Sequence, residues 1–162
     1  MQDSKAILFH SGKLIDGTGR VVTEEPVLVV EDRIQVTGQA ASEQSQVFSD
    51  LASVNLKGDL LMPGLIDSHC HISFDEPTTN DELFFHRRAG LATLVAGVNA
   101  QKVLRAGVTS ILDADCIFEV GVDLRDAIEG GVIAGPRIAT GGNALINSIA
   151  GTASRLLPDR GR

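Results

Sequence analysis

The sequence predicts an α/β protein in which a β-rich first part precedes strands that alternate with helices. In residues 6–62, short apolar runs are separated by turn residues, a pattern typical of strands in hairpins. From Val108 onward, β-branched runs recur at a spacing near the roughly 30 residues of one βαβ unit, which favours a parallel sheet. Of the 162 residues, 43% are hydrophobic, so the chain has enough apolar material for a core.

The first sixty residues predict a small β-sandwich of hairpins. Strand-like runs begin at Ala6, Val27, Ile34 and Val54. Between the first two, the segment Asp16-Gly-Thr-Gly supplies turn residues that tolerate positive φ. The stretch 40–50 is polar and rich in Ser and Gln, and we expect it to form a loop or a poorly ordered excursion.

The second part predicts helices between the strands. A helix is expected over 81–104, with acidic residues at its start and basic residues near its end, as the helix dipole favours. The run 108–112 predicts a buried strand, and 136–140 predicts the next one. Between them, we expect Asp123 to cap a helix that Gly130 and Gly131 end.

Composition argues against two classes of partner. The chain carries 14 Lys and Arg against 21 Asp and Glu, for a net charge of −7, with neither Trp nor Tyr. It therefore lacks the basic footprint and the stacking residues of a nucleic-acid binder. No apolar run approaches the 18 or so residues of a membrane span, and no signal-like segment opens the chain. Since Cys70 and Cys116 form no C-x-x-C pair, we expect a soluble, reduced, cytoplasmic protein without a membrane or nucleic-acid partner.

His69 and His71 are the most informative residues for function. Side chains alternate across a strand, so these two share one face and Cys70 lies on the other. Neutral imidazoles on one face can converge on a divalent cation. An isolated His-x-His is more often a coincidence or polar packing. Here, however, the pair ends an apolar strand that opens a βα series, where such folds place their chemistry. This position favours metal ligation.

The residues around this pair resemble the metal-dependent amidohydrolase superfamily. Leu61-Met-Pro-Gly-Leu-Ile-Asp-Ser-His-Cys-His resembles its first barrel strand, and Gly12-Lys-Leu-Ile-Asp-Gly-Thr-Gly is similar to its N-terminal β-sandwich segment. Arg105-Ala-Gly-Val-Thr-Ser and the segment 126–137 resemble its second and third βα units, in particular those of the imidazolonepropionase-like and Xaa-Pro dipeptidase-like branch. The resemblance implies a β-sandwich segment at 1–60, followed at 61–162 by the first part of a TIM-type (β/α)8 barrel.

The resemblance also implies an activity. In the family, the His-x-His supplies two ligands to one or two divalent ions, here His69 and His71 to Zn²⁺ or a related ion. A metal-activated water then cleaves amide or peptide-like C–N bonds. The branch implies small-molecule substrates such as N-acyl amino acids or dipeptides.

The chain departs from the family in its later ligands. Family members complete the site with a carboxylated Lys or a Glu on the fourth strand, His on the fifth and sixth, and an Asp general base on the eighth. A full barrel usually needs about 250 residues, whereas 61–162 has room for three βα units, and no histidine follows His86. We therefore expect a truncated chain, inactive by itself, whose general base is unknown. The alternative is a non-catalytic fragment or interaction module.

An open barrel has consequences for association. Three parallel strands leave an unpaired edge and an uncovered apolar face. We therefore expect a homo-oligomer, or association with a chain that completes the sheet.

Other residues have two open interpretations each. Asp67 either orients an imidazole or makes a structural hydrogen bond. Asp113 and Asp115, at the end of the second strand and facing the site region, either join the site or form a turn. The segment 141–143, Gly-Gly-Asn, either lines a substrate pocket or shapes a turn. We expect structural roles for the remaining candidates, which are His10 in the sandwich, Cys70 on the outer barrel face and His86 on a helix.

Overall fold

The computed structural model describes residues 5–20, 23–74, 88–116 and 118–143. The chain divides into two compact units, Met1–Pro63 and Gly64–Arg162. Within the described ranges, no helix has both the length and the apolar character needed to cross a membrane.

The first unit contains two sheets. The larger has the strand order β5-β4-β1-β6 and the smaller β3-β2-β7. The elements are β1 (Ala6–His10), β2 (Lys13–Leu14), β3 (Thr23–Glu24), β4 (Val27–Val30), β5 (Arg33–Thr37), α1 (Gln39–Ser45), β6 (Leu51–Asn55) and β7 (Leu60–Leu61). Ala6, Leu28 and Ala41 form the buried centre of this unit.

Two details of the first unit differ from the sequence prediction. The strands are not all hairpin partners, because β1 pairs with β6 in parallel and β2 pairs with β7 in parallel. Parallel partners need a longer connection than a hairpin turn. Residues 11–50 connect β1 to β6, and they include the polar stretch between β5 and β6. That stretch was expected to be a loop but contains α1, whose residues Ala41 and Ser45 are buried. Burial of one face outweighs the polar composition of this segment.

The second unit confirms the predicted alternation of strands and helices. Its elements are β8 (Leu65–Cys70), α2 (Ala89–Arg105), β9 (Val108–Asp113), α3 (Val120–Glu129) and β10 (Arg137–Thr140). The strand order is β10-β9-β8, and both pairings are parallel. The sheet and the two helices enclose one core, consisting of Ile72, Ala92, Ala96, Ala100, Ile111, Cys116, Val120, Leu124 and Ile138.

Two predictions about where the helices begin are wrong. Arg88 is extended, so α2 begins at Ala89 and has no acidic residue in its first turn; positions 81–87 of the predicted helix lie outside the described residues. Its last turn carries Lys102 and Arg105, as expected. Asp123 does not cap α3, because the helix already begins at Val120 and places Asp123 within its first turn. The predicted end is confirmed, since Gly131 follows with a left-handed φ of 70°.

Candidate metal centre

The carboxyl end of β8 brings the two histidines together. His69 lies in the strand and His71 follows its last residue. Cys70 and Ile72 pack into the core with α2, so strand alternation places His69 and His71 on the opposite face. The two imidazole centroids are 5.2 Å apart and the rings meet edge to face, at 81°. Two imidazoles, a type of side chain that Zn²⁺ accepts as a ligand, therefore lie side by side.

The ring of His71 is held on two sides. Its Nδ1 lies 3.0 Å from Oδ1 of Asp115 and 3.3 Å from the Asp115 carbonyl oxygen. The ring of Phe74 stacks on the imidazole, with centroids 5.0 Å apart and planes within 8°. Asp115 thus contacts a nitrogen at the edge of the imidazole, and Phe74 packs against the face of the ring.

Asn99 of α2 holds the segment that follows His71. Its side-chain amide donates to the carbonyl oxygen of Ile72 at 3.1 Å and to that of Phe74 at 2.6 Å. Both carbonyls are thereby satisfied without a strand partner. The helix thus fixes the backbone that carries the stacked ring of Phe74.

Phe74 and Asn99 are contacts that the sequence analysis missed. Asn99 had a weak signal, because Asn is disfavoured inside helices and tends to bond to backbone groups instead. Phe74 had none, since nothing in the local pattern indicates that it meets an imidazole.

Asp67 makes a structural hydrogen bond. Its Oδ1 accepts the backbone N–H of His69 at 3.0 Å. This is one of the two roles considered for Asp67, and it stabilises the backbone just before the candidate ligands.

The structure places the side chains of Asp113 and Asp115 in different environments. Asp115 meets His71, whereas Asp113 is fully buried on the side of the sheet that α3 covers and does not share the open face. Its Oδ1 accepts the backbone N–H of Ile72 at 3.2 Å and its Oδ2 accepts the hydroxyl of Thr140 at 3.0 Å. Burial raises the pKa of the Asp113 carboxyl, although the two donors act in the opposite direction.

The segment 141–143 extends the contact between neighbouring strand ends. The Gly141 amide donates to the Asp113 carbonyl at 2.9 Å, and the Cys116 amide donates to the Gly142 carbonyl at 2.9 Å. Gly142 has a φ of 71°, which glycine adopts without a steric penalty. These contacts continue the parallel pairing past the strand ends, with an isolated bridge between Cys116 and Asn143, and a role of the segment in a substrate pocket stays a prediction.

The remaining candidates have structural environments. His10 bonds to the hydroxyls of Ser11 and Ser53 within the first unit. Cys70 is half-buried and Cys116 is buried, and burial raises the pKa of both thiols, which disfavours the thiolate that ligates metals. His86 lies outside the described residues.

The candidate metal ligands among the described residues are therefore His69 and His71. Among the described residues, no group of three or more His, Cys, Asp or Glu side chains is placed to hold a metal ion. Two imidazoles fit a divalent transition metal but supply fewer than the three protein ligands of a typical catalytic zinc site.

Comparison with known proteins gives a consistent set of relatives. No family model matches the chain. It is 28% identical over 149 residues to an ochratoxinase of Aspergillus niger, covering 88% of this chain and 29% of that protein. It is 31% identical over 118 residues to an imidazolonepropionase of Micrococcus luteus, covering 72% of this chain and 27% of that protein. The chain thus spans less than a third of the length of these relatives.

The fold is shared with solved structures. A Xaa-Pro dipeptidase with methionine bound in its active site matches with a TM-score of 0.71 and 25% sequence identity. The match covers 87% of this chain and 34% of the dipeptidase chain. The α/β arrangement described above is therefore common to this chain and to part of that enzyme.

Proposed function

Because the chain belongs to the amidohydrolase superfamily and corresponds to an N-terminal part of its members, we propose that it supplies the first metal ligands of an enzyme that hydrolyses amide C–N bonds. The observation that carries this proposal is the edge-to-face pair of His69 and His71 at the carboxyl end of β8, with centroids 5.2 Å apart. In parallel βα folds the chemistry is placed at this end of the strands.

In the proposed architecture, β8, β9 and β10 are the first three strands of a (β/α)8 barrel, and residues 1–60 form a β-sandwich segment. The parallel order of the three strands, with α2 and α3 as their connections, supports this assignment. The open face that carries His69 and His71 is then the inner face of the barrel.

The proposed chemistry assigns specific tasks to the chain's own residues. His69 and His71 present ring nitrogens on the open face, and Asp67, Asn99 and Phe74 hold the backbone and ring positions around them. A divalent ion bound there, such as Zn²⁺, lowers the pKa of a bound water and polarises the scissile carbonyl. The proposal gives the role of general base, and the roles of further metal ligands, to none of the described residues of this chain.

The proposed substrates are small amides, namely N-acyl amino acids or dipeptides. One name among the similar structures supports this class, since that structure is a Xaa-Pro dipeptidase with methionine bound in its active site. The alternative remains a non-catalytic fragment or interaction module, for which the two-membered donor set is the supporting observation.

Metal binding is the first experiment. We expect the 162-residue chain to bind Co²⁺ or Zn²⁺ weakly in calorimetric titrations, because two imidazoles hold an ion less firmly than three ligands. His69→Ala and His71→Ala should each abolish that binding. His10→Ala is the matched control, since His10 bonds to serines in the other unit and its loss should leave the titration unchanged. Equal binding by all four proteins would contradict the metal assignment.

Turnover is the second experiment. Release of amino acids from a panel of acyl-amino acids and dipeptides is measured for the 162 residues, and for the same residues fused to the remaining strands of the ochratoxinase. We expect Zn²⁺-dependent release only from the fusion, and its loss on His69→Ala or His71→Ala. Metal-dependent turnover by the 162 residues alone, lost on His69→Ala, would instead show that the two histidines suffice.

A further inference from the structure

The contacts of His71 restrict where its proton lies. Both groups near its Nδ1 belong to Asp115, the carboxylate oxygen at 3.0 Å and the carbonyl oxygen at 3.3 Å. A carboxylate and a carbonyl oxygen only accept hydrogen bonds. The ring nitrogen that faces them must therefore donate, so the proton of a neutral His71 ring lies on Nδ1 and leaves Nε2 as the free acceptor.

The ring cannot easily turn away from this arrangement. Phe74 lies parallel to the imidazole at 5.0 Å, and Asn99 anchors the carbonyl of Phe74 at 2.6 Å. Stacking on Phe74 fixes the plane of the imidazole. A half-turn about χ2, which would keep that plane, would move Nδ1 away from Asp115. The contacts with Asp115 and Phe74 therefore select one ring orientation together.

We propose that Asp115 is a positioning residue for His71, whose carboxylate fixes the Nδ1–H form of the ring so that Nε2 is presented to a divalent cation. The inference rests on the proposed metal-binding function and adds to it a residue that does not touch the ion. Carboxylates that accept the second N–H of a ligating imidazole orient the ring and increase its basicity, and their loss typically lowers metal affinity by about 10- to 100-fold.

The adjacent aspartate shows why position decides this role. Asp113 lies two residues before Asp115 on the same strand end, yet its carboxylate is buried under α3 and receives the Ile72 amide and the Thr140 hydroxyl. Asp115 lies beyond the last residue of β9, and its side chain is 45% exposed. The Asp115 side chain can therefore contact His71 at the end of β8, whereas the Asp113 side chain is buried in the core.

The test compares three variants of the 162-residue chain by two measurements. Long-range ¹H–¹⁵N spectra of the histidine rings report which nitrogen of His71 carries the proton, and titration with Co²⁺ reports affinity. Asp115→Ala removes the carboxylate, and Asp115→Asn keeps an oxygen that accepts the Nδ1–H. Asp123→Ala is the control, because Asp123 is an exposed carboxylate in the first turn of α3 and its removal changes the net charge equally.

We expect the unsubstituted chain to show the Nδ1–H form. Asp115→Ala should populate the Nε2–H form and weaken Co²⁺ binding about tenfold. Asp115→Asn should restore the Nδ1–H form and most of the affinity, and Asp123→Ala should change neither measurement. A proton on Nε2 in the unsubstituted chain would overturn the inference directly, even if a variant failed to fold. An Asp115→Ala chain with unchanged tautomer and affinity would overturn it as well.

These outcomes separate the inference from the proposed function. If the ring spectra respond to Asp115→Ala while no protein binds Co²⁺, the metal assignment fails and the positioning contact alone stands. If Co²⁺ binds through His69 and His71 with equal affinity with and without the Asp115 carboxylate, the metal assignment stands and the positioning role is wrong.

Discussion

The hydroxyl of Thr140 donates to the buried carboxylate of Asp113 at 3.0 Å, which joins the ends of the neighbouring parallel strands β9 and β10. The other oxygen of the same carboxylate accepts the backbone N–H of Ile72, just after the candidate ligand His71. One side chain in the core thus connects the carboxyl ends of β8, β9 and β10, the three strands that the structure describes in the second unit.

Removal of this connection should destabilise the second unit. Asp113→Ala leaves the buried Ile72 N–H and the Thr140 hydroxyl without their acceptor, at a cost of about 2–4 kcal/mol. The free energy of unfolding from urea titrations measures the effect. Asp123→Ala, at an exposed position of α3, is the control and should change stability by less than about 0.5 kcal/mol. A loss at Asp113 no larger than that of the control would contradict the connecting role.

The same carboxyl should make stability depend on pH. Burial raises its pKa above the usual 3.8, against the opposing effects of Ile72, Thr140 and His71, while Asp115 acts in the same direction as burial. Between 3.8 and the raised pKa, the folded chain binds more protons than the unfolded chain. The contribution of Asp113 to stability is therefore fully present below pH 3.8 and declines as pH rises through the raised pKa.

The measurement is the difference in unfolding free energy between the unsubstituted chain and Asp113→Asn, taken at several pH values from acid to neutral. We expect this difference to shift in favour of the Asn variant as pH rises, since Asn cannot ionise. A constant difference would show that the pKa of Asp113 is the same in the folded and unfolded chain, and a shift in favour of the unsubstituted chain would show that folding lowers this pKa; either result would contradict the prediction.

Gly121 should not accept a side chain. A Cβ at this position in α3 would overlap Oδ2 of Asp113 and the side chain of Thr140. Gly121→Ala should therefore cost about 1–3 kcal/mol, as overpacked cores do. Gly90→Ala is the matched control, because a Cβ at Gly90 in α2 meets nothing within 4 Å and alanine favours the helix by up to about 1 kcal/mol. Thermal melts of the two variants should shift in opposite directions, and a shared upward shift would contradict the packing argument.

The 162-residue chain should self-associate. Along α2, the apolar side chains of Leu91, Leu94 and Val98 are exposed and lie on one face. Ile66 of β8, at an edge of the described sheet, is 74% exposed. Exposed apolar faces and free strand edges promote association, so light scattering should report species larger than a monomer.

Charged substitutions identify the surface involved. The double variant Leu94→Glu, Val98→Lys keeps the net charge and should lower the average mass if the α2 face takes part. Val132→Lys is the control, at a residue that is 82% exposed in the turn after α3. A compact monomer that melts cooperatively, before any substitution, would show that these surfaces do not drive association.

The sequence predicted the strands of the second unit well and its helix starts poorly. The prediction of β9 and β10 has a local cause, because β-branched residues favour the extended backbone of a strand. The start of α3 has no such local cause. Asp123 has a side chain that can cap a helix, but α3 already begins at Val120, because burial of Val120 in the core favours the helical conformation there. In the same way α1 formed in a polar stretch because Ala41 packs against Leu28 and Ala6.

The sequence by itself determined the parallel βα organisation and the shared face of His69 and His71, because both follow from periodicities of two and of about 3.6 residues along one segment. Only the tertiary structure decided which acidic side chain meets His71. Asp113 and Asp115 have the same chemistry and lie two positions apart, so no local pattern distinguishes them. The strand ends, the cover of α3 and the pairing with β8 place one in the core and the other 3.0 Å from the imidazole, and such contacts arise between segments that are distant in the chain.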